Sequence, residues 1–189
     1  MTTVEGSEVL AAPRPRCMTE SELIAGCREG RREALDALVS VHYDRIHRLA
    51  WSLAGAEAAA DLAQETFLAA VKALPRFRAD AQLSTWLVSI LRNQYSLFLR
   101  GLRKWKLAPL PDRLAAPEPP PVERDVREIL DRTKDLPEEL RTTLILFHVD
   151  GMKYADIARA MECPVGTVRS RLFEARERLK KLVSRADRP

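Results

Sequence analysis

Three polar side chains on one predicted helix lie one turn apart, and two of them are carboxylates, which can do acid–base chemistry. Asp61, Gln64 and Glu65 form a small acidic patch on a segment that is otherwise apolar. A carboxylate pair beside an amide can resemble a catalytic centre, but the sequence supplies no nucleophile, metal partner or phosphate loop to accompany it. Catalysis is therefore the weaker interpretation. A docking surface for a basic partner and a simple solvent-exposed face both stay open.

A second group of residues lies near the C-terminus, where a short helix, a tight turn at Glu162-Cys163 and a longer basic helix are predicted. This order is typical of a helix-turn-helix. The apolar residues of the two helices have three- and four-residue spacing and can pack together: Ile157, Ala158, Met161, Val168 and Leu172. The second helix then has its polar residues mostly on its other faces: Thr167, Arg169, Ser170, Arg171 and Glu174.

Short polar side chains and arginines near the start of such a helix suit the reading of base edges in the major groove, and Gly166 permits a close approach. Lys153 and Tyr154 lie where the supporting helix would meet phosphates. DNA binding is the interpretation that we favour. The alternative is an ordinary helical hairpin with an Arg-rich solvent face.

The third group combines aromatic and basic residues between Phe77 and Lys106. A polar loop, Arg76 to Gln82, precedes a basic helix that contains Trp86, Arg92, Asn93 and Tyr95. Single-stranded DNA is held by this combination, since bases stack or enter pockets while arginines follow the phosphates. Packing in the protein core is the alternative for Phe77 and Trp86, and for Trp86 it is the one that we favour.

Composition restricts the class of protein. The chain has 189 residues, only 6% of them aromatic, and is rich in Ala, Leu, Arg and Glu, which favours helices over a β-sandwich. Its three cysteines form no C-x-x-C pair and its three histidines are scattered, so we expect no disulfide framework, no metal site and no cofactor. We predict a cytoplasmic protein without a signal peptide or a membrane-inserted segment.

Charge is distributed in blocks along the chain, although the net charge is only +4. Residues 81–111 contain no acid, residues 112–162 contain twelve acids against eight bases, and residues 163–189 contain eight bases against three acids. Two basic blocks separated by an acidic one would follow from two separate contacts with a polyanion. Arg-rich solvated helix faces explain the charges alone equally well.

The predicted helices form two domains. In the N-terminal domain, Thr19 caps a short helix ending near Gly30, and a long helix ends at Gly55 with a core-facing stripe of Leu35, Leu38, Val39, Ile46, Leu49, Ala50 and Leu53. A third helix covers Ala58 to Leu74, and a fourth, capped by Ser84, runs to about Lys104. Helices joined by short loops form a compact bundle.

The C-terminal domain is predicted to contain four more helices. They cover Arg124 to Lys134, a segment opened by Leu136-Pro137 with the stripe Leu140, Leu144, Phe147 and His148, then Tyr154 to Met161 and Pro164 to Ser184. Half of the twelve prolines fall between Pro109 and Pro121, which predicts an extended linker. We therefore expect an all-α fold with a flexible tail at 1–18, domains at 19–105 and 125–185, and a linker at 106–124.

These features, in this order, resemble the extracytoplasmic-function sigma factors of the bacterial sigma-70 family. The resemblance covers about Ser21 to Leu182. Three motifs carry it: Asp61-Leu-Ala-Gln-Glu-Thr-Phe67; Phe77 to Asn93 with Thr85-Trp86-Leu87; and Leu136-Pro137 through Tyr154-Ala-Asp-Ile-Ala158 to Gly166-Thr-Val-Arg-Ser-Arg171. All three motifs, placed around a proline-rich linker, are highly specific for this family.

The resemblance implies a subunit that directs core RNA polymerase to promoters, helps open the duplex and is not itself an enzyme. Asp61, Gln64 and Glu65 would dock on the clamp coiled coil, and the flap of the polymerase would be a further contact. The residues implied to hold the melted −10 strand are Arg78, Ala79, Asp80, Ala81, Gln82, Thr85, Trp86, Arg92 and Asn93. The double-stranded −35 element would contact Lys153, Tyr154, Thr167, Arg169, Ser170, Arg171 and Glu174. An anti-sigma partner is also implied.

Three positions depart from the family pattern. Relatives usually have Gly where Ala79 stands and often Asp where Leu97 stands, and some have a base where Glu174 stands. These differences concern the promoter sequence rather than the class. The rival hypotheses are a stand-alone helix-turn-helix regulator and a helical adaptor or anti-sigma-like protein, with a nucleic-acid enzyme ranked behind them.

Overall fold

The computed structural model describes residues 18–105 and 130–186, all of whose regular elements are helical. The α-helices are α1 (Glu20–Arg28), α2 (Arg32–Ala54), α3 (Ala56–Ala73), α4 (Leu83–Trp105), α5 (Glu138–His148), α6 (Tyr154–Ala160) and α7 (Val165–Ala186). Short 3-10 turns cover Leu74–Arg76 and Thr133–Asp135. Residues 1–17 of the predicted tail at 1–18, the predicted linker at 106–124 and most of the predicted helix at 124–134 lie outside the described residues.

Helix α1 begins with a capping box, which confirms Thr19 as its N-cap. The Thr19 hydroxyl accepts a hydrogen bond from the Glu22 amide, and the Glu22 carboxylate accepts one from the Thr19 amide at 2.8 Å. These bonds lower the pKa of Glu22 below its ordinary value. The two bonds satisfy backbone donors that a helix start otherwise leaves open.

Helices α2 and α3 form the centre of the N-terminal bundle and are joined through Gly55. Gly55 has a φ of 88°, a value that glycine adopts readily and other residues rarely do. Helix α2 ends at this glycine, as predicted. Five members of the predicted α2 stripe are buried: Leu38, Ile46, Leu49, Ala50 and Leu53. Leu35 is half-buried, but Val39 is exposed, so its place in the predicted stripe was wrong. It lies one helical turn before Tyr43, which is also exposed.

Helix α4 begins at Leu83 and not after a Ser84 cap, so that predicted cap was wrong. The Leu83 amide donates a hydrogen bond to Oε1 of Glu20 at 3.0 Å, and the Gln82 carbonyl accepts from the amides of Thr85 and Trp86. An acid from α1 thus takes the role that a local serine was expected to fill, at the positive end of the α4 dipole.

The C-terminal domain is built around the predicted helix-turn-helix. Ile157, Ala158 and Met161 are buried, as are Val168 and Leu172, which confirms the predicted packing. The turn between α6 and α7 has Glu162 at a φ of 50°, a left-handed conformation that non-glycine residues adopt in tight turns.

Helix α5 is more buried than its sequence pattern indicates. Residues 140–146 are all buried, and Phe147 is half-buried and packs on the core, whereas His148 is exposed, so the predicted stripe was wrong only at His148. A helix enclosed on nearly all sides has neighbours on more than one side. Helix α5 packs against α7 of its own domain and against α2 of the N-terminal domain.

The two domains are in direct contact. Helix α6 packs on α4, α5 packs on α2, and the buried side chains of both domains belong to one continuous hydrophobic cluster. The sequence predicted two helical domains, and the structure adds a shared interface between them. None of the helices in residues 18–105 and 130–186 is long and apolar enough to cross a membrane.

Candidate functional site

The acidic patch of α3 is a solvent-exposed face of the helix. Asp61, Gln64 and Glu65 are all exposed, while Leu62, Thr66 and their buried neighbours turn toward the core. The Thr66 hydroxyl donates to the Leu62 carbonyl at 2.7 Å and is thereby satisfied inside the bundle. The three predicted side chains therefore lie together and are free of the core.

The same face of α3 carries apolar side chains that sequence reasoning missed. Leu68 is 46% exposed and Val71 is 38% exposed, and both follow Gln64 at helical spacing. Their spacing from Asp61 and Gln64 was the available signal. An acidic patch that continues into exposed Leu and Val side chains suits a protein partner better than a small charged ligand, since protein interfaces combine an apolar centre with a polar rim.

The loop before α4 is held at its first residue and exposed beyond it. Phe77 is buried against Trp86, with ring centroids 4.7 Å apart, and its carbonyl accepts a hydrogen bond from Arg28. Of the predicted loop residues, Ala81 is half-buried, and the other four are exposed: Arg78, Ala79, Asp80 and Gln82. The half-buried ring of Trp86 packs on the core, as we favoured.

Ala79 occupies a backbone conformation that favours glycine. Its φ is 58°, in the left-handed region where a Cβ atom crowds the following carbonyl. This explains physically why a glycine would suit the position better than Ala79 does. The loop keeps its shape because Phe77 is anchored on one side and the Leu83 amide on the other.

The predicted −10 residues on α4 do not share one environment. Asn93 is exposed, but Thr85 is only 4% exposed, so its side chain is not available to a strand in this conformation. Arg92 is half-buried and faces Glu162 of the helix-turn-helix turn, with the nearest nitrogen and oxygen 3.6 Å apart. The structure therefore leaves Asn93 open to solvent, buries Thr85 and draws Arg92 toward the other domain.

On the helix-turn-helix, one stripe of α7 faces solvent. Gly166, Arg169, Ser170 and Phe173 are all exposed and recur at three- and four-residue spacing, opposite the buried Val168, Leu172 and Ala175. The Ser170 hydroxyl donates to the Thr167 carbonyl at 3.0 Å, and Thr167 itself is half-buried. Of the predicted supporting residues, Lys153 is exposed and Tyr154 is half-buried against Phe147.

Two predicted reading residues are engaged within the protein. Arg171 pairs with Glu139 of α5 at 2.6 Å and contacts the Cys163 sulfur at 3.6 Å. Glu174 pairs with Arg178, one turn further along α7, also at 2.6 Å. The Glu139 pair directs Arg171 back toward α5, whereas Arg169 stays on the exposed stripe.

Phe173 is the residue of this surface that sequence reasoning missed. Its side chain is 70% exposed in the middle of the α7 stripe, between Arg169 and Glu177. An exposed aromatic ring on a reading helix can pack on the methyl group of thymine. The signal was present in the sequence, since Phe173 follows Gly166, Arg169 and Ser170 at the same helical spacing.

Comparison with known proteins assigns both surfaces to one family. The model described as Sigma-70 region 2 matches residues 38–105, and the model described as Sigma-70, region 4 matches residues 127–179. The RNA polymerase sigma-H factor of Pseudomonas aeruginosa is 34% identical over 184 residues, which cover 86% of this chain and 92% of the relative. The chain belongs to the sigma-70 family.

The relatives place this sigma factor in the extracytoplasmic-function group. The ECF RNA polymerase sigma-E factor of Escherichia coli is 32% identical over 177 residues, covering 85% of this chain and 92% of that protein. The sigma factor RpoE of Bartonella quintana, solved with the anti-sigma factor NepR, superposes with a TM-score of 0.64 at 27% identity, covering 81% of this chain and 98% of that one. CnrH, solved with the cytosolic domain of CnrY, shares the fold with a TM-score of 0.68 at 24% identity, covering 89% and 99%.

The matched regions contain the surfaces described above. Region 2 includes the exposed face of α3, the loop and α4, and region 4 includes α6 and most of α7. Helix α1, which supplies Glu20 to the start of α4, precedes the region 2 match. Family membership decides between the sigma factor and its two main rivals: the protein is an RNA polymerase sigma factor and not a stand-alone regulator or an adaptor.

Proposed function

We propose that this sigma factor binds core RNA polymerase through the exposed face of α3 and reads promoter DNA through two further surfaces. Asp61, Gln64 and Glu65 contact a basic partner surface on the clamp coiled coil, and Leu68 and Val71 supply the apolar part of the interface. Support comes from the exposure of all five side chains on one helix face. The flap of the polymerase contacts the C-terminal domain.

The loop 78–82, Trp86, Arg92 and Asn93 hold the single-stranded −10 element. The exposed stripe of α7, with Arg169, Ser170 and Phe173, reads the double-stranded −35 element, and Lys153 contacts its phosphates. Support comes from the exposure of Asn93 and most of the loop in one domain and of Arg169, Ser170 and Phe173 in the other, which is the arrangement that two separate DNA contacts need. The protein acts in the cytoplasm, has no enzymatic activity of its own and is inhibited by an anti-sigma factor.

The single observation that carries the proposal is the pairing of an exposed acidic and apolar face on α3 with an exposed reading stripe on α7. Core binding tests the first surface. Gln64→Ala combined with Glu65→Ala should weaken binding to purified core polymerase at least tenfold in fluorescence anisotropy. The matched control is Glu33→Ala, an exposed acid at the start of α2 that should bind as the wild type does. Equal affinity of the double variant and the control would contradict the docking surface.

A promoter library tests the second surface, because randomised templates let the polymerase select the sequences that it prefers. Core polymerase with this sigma factor transcribes a pool of templates that carry randomised −35 and −10 elements, and the enriched sequences are read. Arg169→Ala should remove the preference at one or two −35 positions and leave the −10 preference intact. Asn93→Ala should do the opposite. Loss of both preferences in either variant would contradict the separation of the two readers.

A further inference from the structure

The interface between the two domains contains buried polar contacts that join residues far apart in sequence. Arg45 of α2 donates to both carboxylate oxygens of Asp150, from Nε at 2.9 and 3.1 Å and from Nη2 at 2.5 Å. Arg48 approaches the same carboxylate at 3.7 Å. The Asp150 side chain is only 1% exposed. A buried, bidentate pair of this kind holds its partners more firmly than a surface ion pair does.

A second buried cation faces the opposite way across the interface. Arg141 of α5 is 8% exposed, and its Nη1 and Nη2 donate to the Tyr95 hydroxyl at 3.1 Å and to the Ser52 carbonyl at 3.0 Å. Both acceptors belong to the N-terminal domain. Burial of this contact raises the pKa of Tyr95 above its ordinary value. A buried guanidinium needs hydrogen-bond acceptors, and here the other domain provides them.

The interface covers one side of α4. Arg92, Tyr95 and Ser96 lie on that side at helical spacing, and each contacts the C-terminal domain: Arg92 at Glu162, Tyr95 at Arg141, and Ser96 through a hydrogen bond to Glu138. Arg92 is one of the residues proposed to hold the −10 strand. The helix-turn-helix turn therefore occupies space next to Arg92 that the strand would need.

The distance between the two promoter elements is incompatible with this contact. Elements centred near −10 and −35 are about 25 base pairs apart, which at about 3.4 Å per base pair is roughly 85 Å along the duplex. In the structure, α4 and α6 touch, and α6 leads directly into α7. A protein in this conformation cannot place α4 at one element and α7 at the other.

From these contacts we propose that Arg45, Asp150, Arg141 and Tyr95 form an interdomain latch that holds the free sigma factor closed. The latch must open before both promoter elements can be bound, and core polymerase supplies the free energy for opening by binding the separated domains. This inference rests on the proposed function for its role, but the closed state itself is a property of the isolated chain. Breaking the latch raises the fraction of open protein and so strengthens apparent binding to core.

Charge reversal with rescue tests the latch in the full-length protein. Asp150→Arg places a third cation beside Arg45 and Arg48 and should open the interface, as should Arg45→Asp. The double variant R45D/D150R restores the ion pair with its charges exchanged and should close the interface again. The matched control is Asp36→Arg, which makes the same change at a carboxylate that is 75% exposed on α2. Tyr95→Phe removes one acceptor of Arg141 and is a milder second variant if Asp150→Arg fails to fold.

Small-angle X-ray scattering of the isolated proteins gives the first readout. A compact chain of this length has a radius of gyration of about 16 Å. Separation of the two domains should make the radius of gyration of the open variants about 5 to 10 Å larger than that of the control. The double variant should return toward the wild-type value. The latch would be overturned if folded Asp150→Arg had the same radius of gyration as the control. If Asp150→Arg does not fold, the same comparison is made with Tyr95→Phe.

Affinity for core polymerase gives the second readout and separates the latch from the proposed function. Folded open variants should bind core several-fold more tightly than the control, whereas a merely damaged protein would bind more weakly. Weaker binding by an open, folded variant would overturn the role assigned to the latch. If the scattering changes as expected and neither the wild type nor any variant binds core, then the latch stands and the proposed function fails.

Discussion

Glu20 accepts a hydrogen bond from the Leu83 amide at 3.0 Å, so the first helix of the sigma factor caps the fourth. The bond ties α1 to the end of the loop that is proposed to hold the −10 strand. It also places a carboxylate at the positive end of α4, the helix that carries several proposed strand contacts and Tyr95 of the interdomain latch.

Removal of this cap should destabilise the N-terminal domain. Glu20→Ala leaves the Leu83 amide without its acceptor and should lower the free energy of unfolding by about 1 kcal/mol, as measured for other lost N-caps. Glu20→Gln keeps an oxygen acceptor and should have a smaller effect. Urea denaturation measures both, with Glu33→Ala as the control. A Glu20→Ala variant as stable as the control would show that the cap contributes nothing.

Relief of backbone strain at Ala79 should stabilise the protein. The left-handed conformation destabilises a residue with a Cβ atom by about 1–2 kcal/mol. Glycine avoids this strain, but its greater freedom in the unfolded chain lowers the free energy of unfolding by about 0.4–1 kcal/mol. Ala79→Gly should therefore raise the free energy of unfolding by about 0.5–1 kcal/mol. Ala79→Val, with a branched Cβ, should lower it. Thermal unfolding measures both variants. Equal melting temperatures for Ala79→Val and Ala79→Gly would show that the backbone at this position is not strained.

The exposed ring of Phe173 should contribute to −35 reading but not to folding. Phe173→Ala should leave the melting temperature nearly unchanged, since the side chain is 70% exposed. Loss of one apolar contact with a thymine methyl group corresponds to about 0.8 kcal/mol, or about a fourfold weaker preference for thymine at one −35 position. The promoter library measures this preference directly. An unchanged preference at every −35 position would remove Phe173 from the reading surface.

Acidification should destabilise the fold through His42. Burial, with Arg45 close by, lowers the pKa of His42 below its ordinary value. The unfolded chain then binds a proton more readily than the folded one, so stability is lost as the pH falls through about 6.5. His42→Gln should therefore flatten the dependence of the unfolding free energy on pH between about 7.5 and 5. His47→Gln serves as the control, and an equal slope in the two variants would argue against His42.

Much of the fold was predictable because local rules decide where helices begin and end. Thr19 caps α1, Gly55 separates α2 from α3, and Pro137 precedes α5, each as expected from its backbone preferences. The periodicity of Val168 and Leu172 also predicted the buried side of α7. For the candidate sites, residue spacing located the α3 face and the α7 stripe, but it did not indicate that Leu68, Val71 and Phe173 complete them.

The sequence by itself determined the class of fold, the helix-turn-helix and the membership of the sigma-70 family, since these depend on short-range patterns. Only the tertiary structure decided that Glu20 caps α4, that Thr85 is buried, and that Arg171 turns toward Glu139. It alone joined Arg45 to Asp150, 105 positions later. The physical reason is that long charged side chains select partners by proximity in space, which the packing of whole helices sets and which local spacing does not encode.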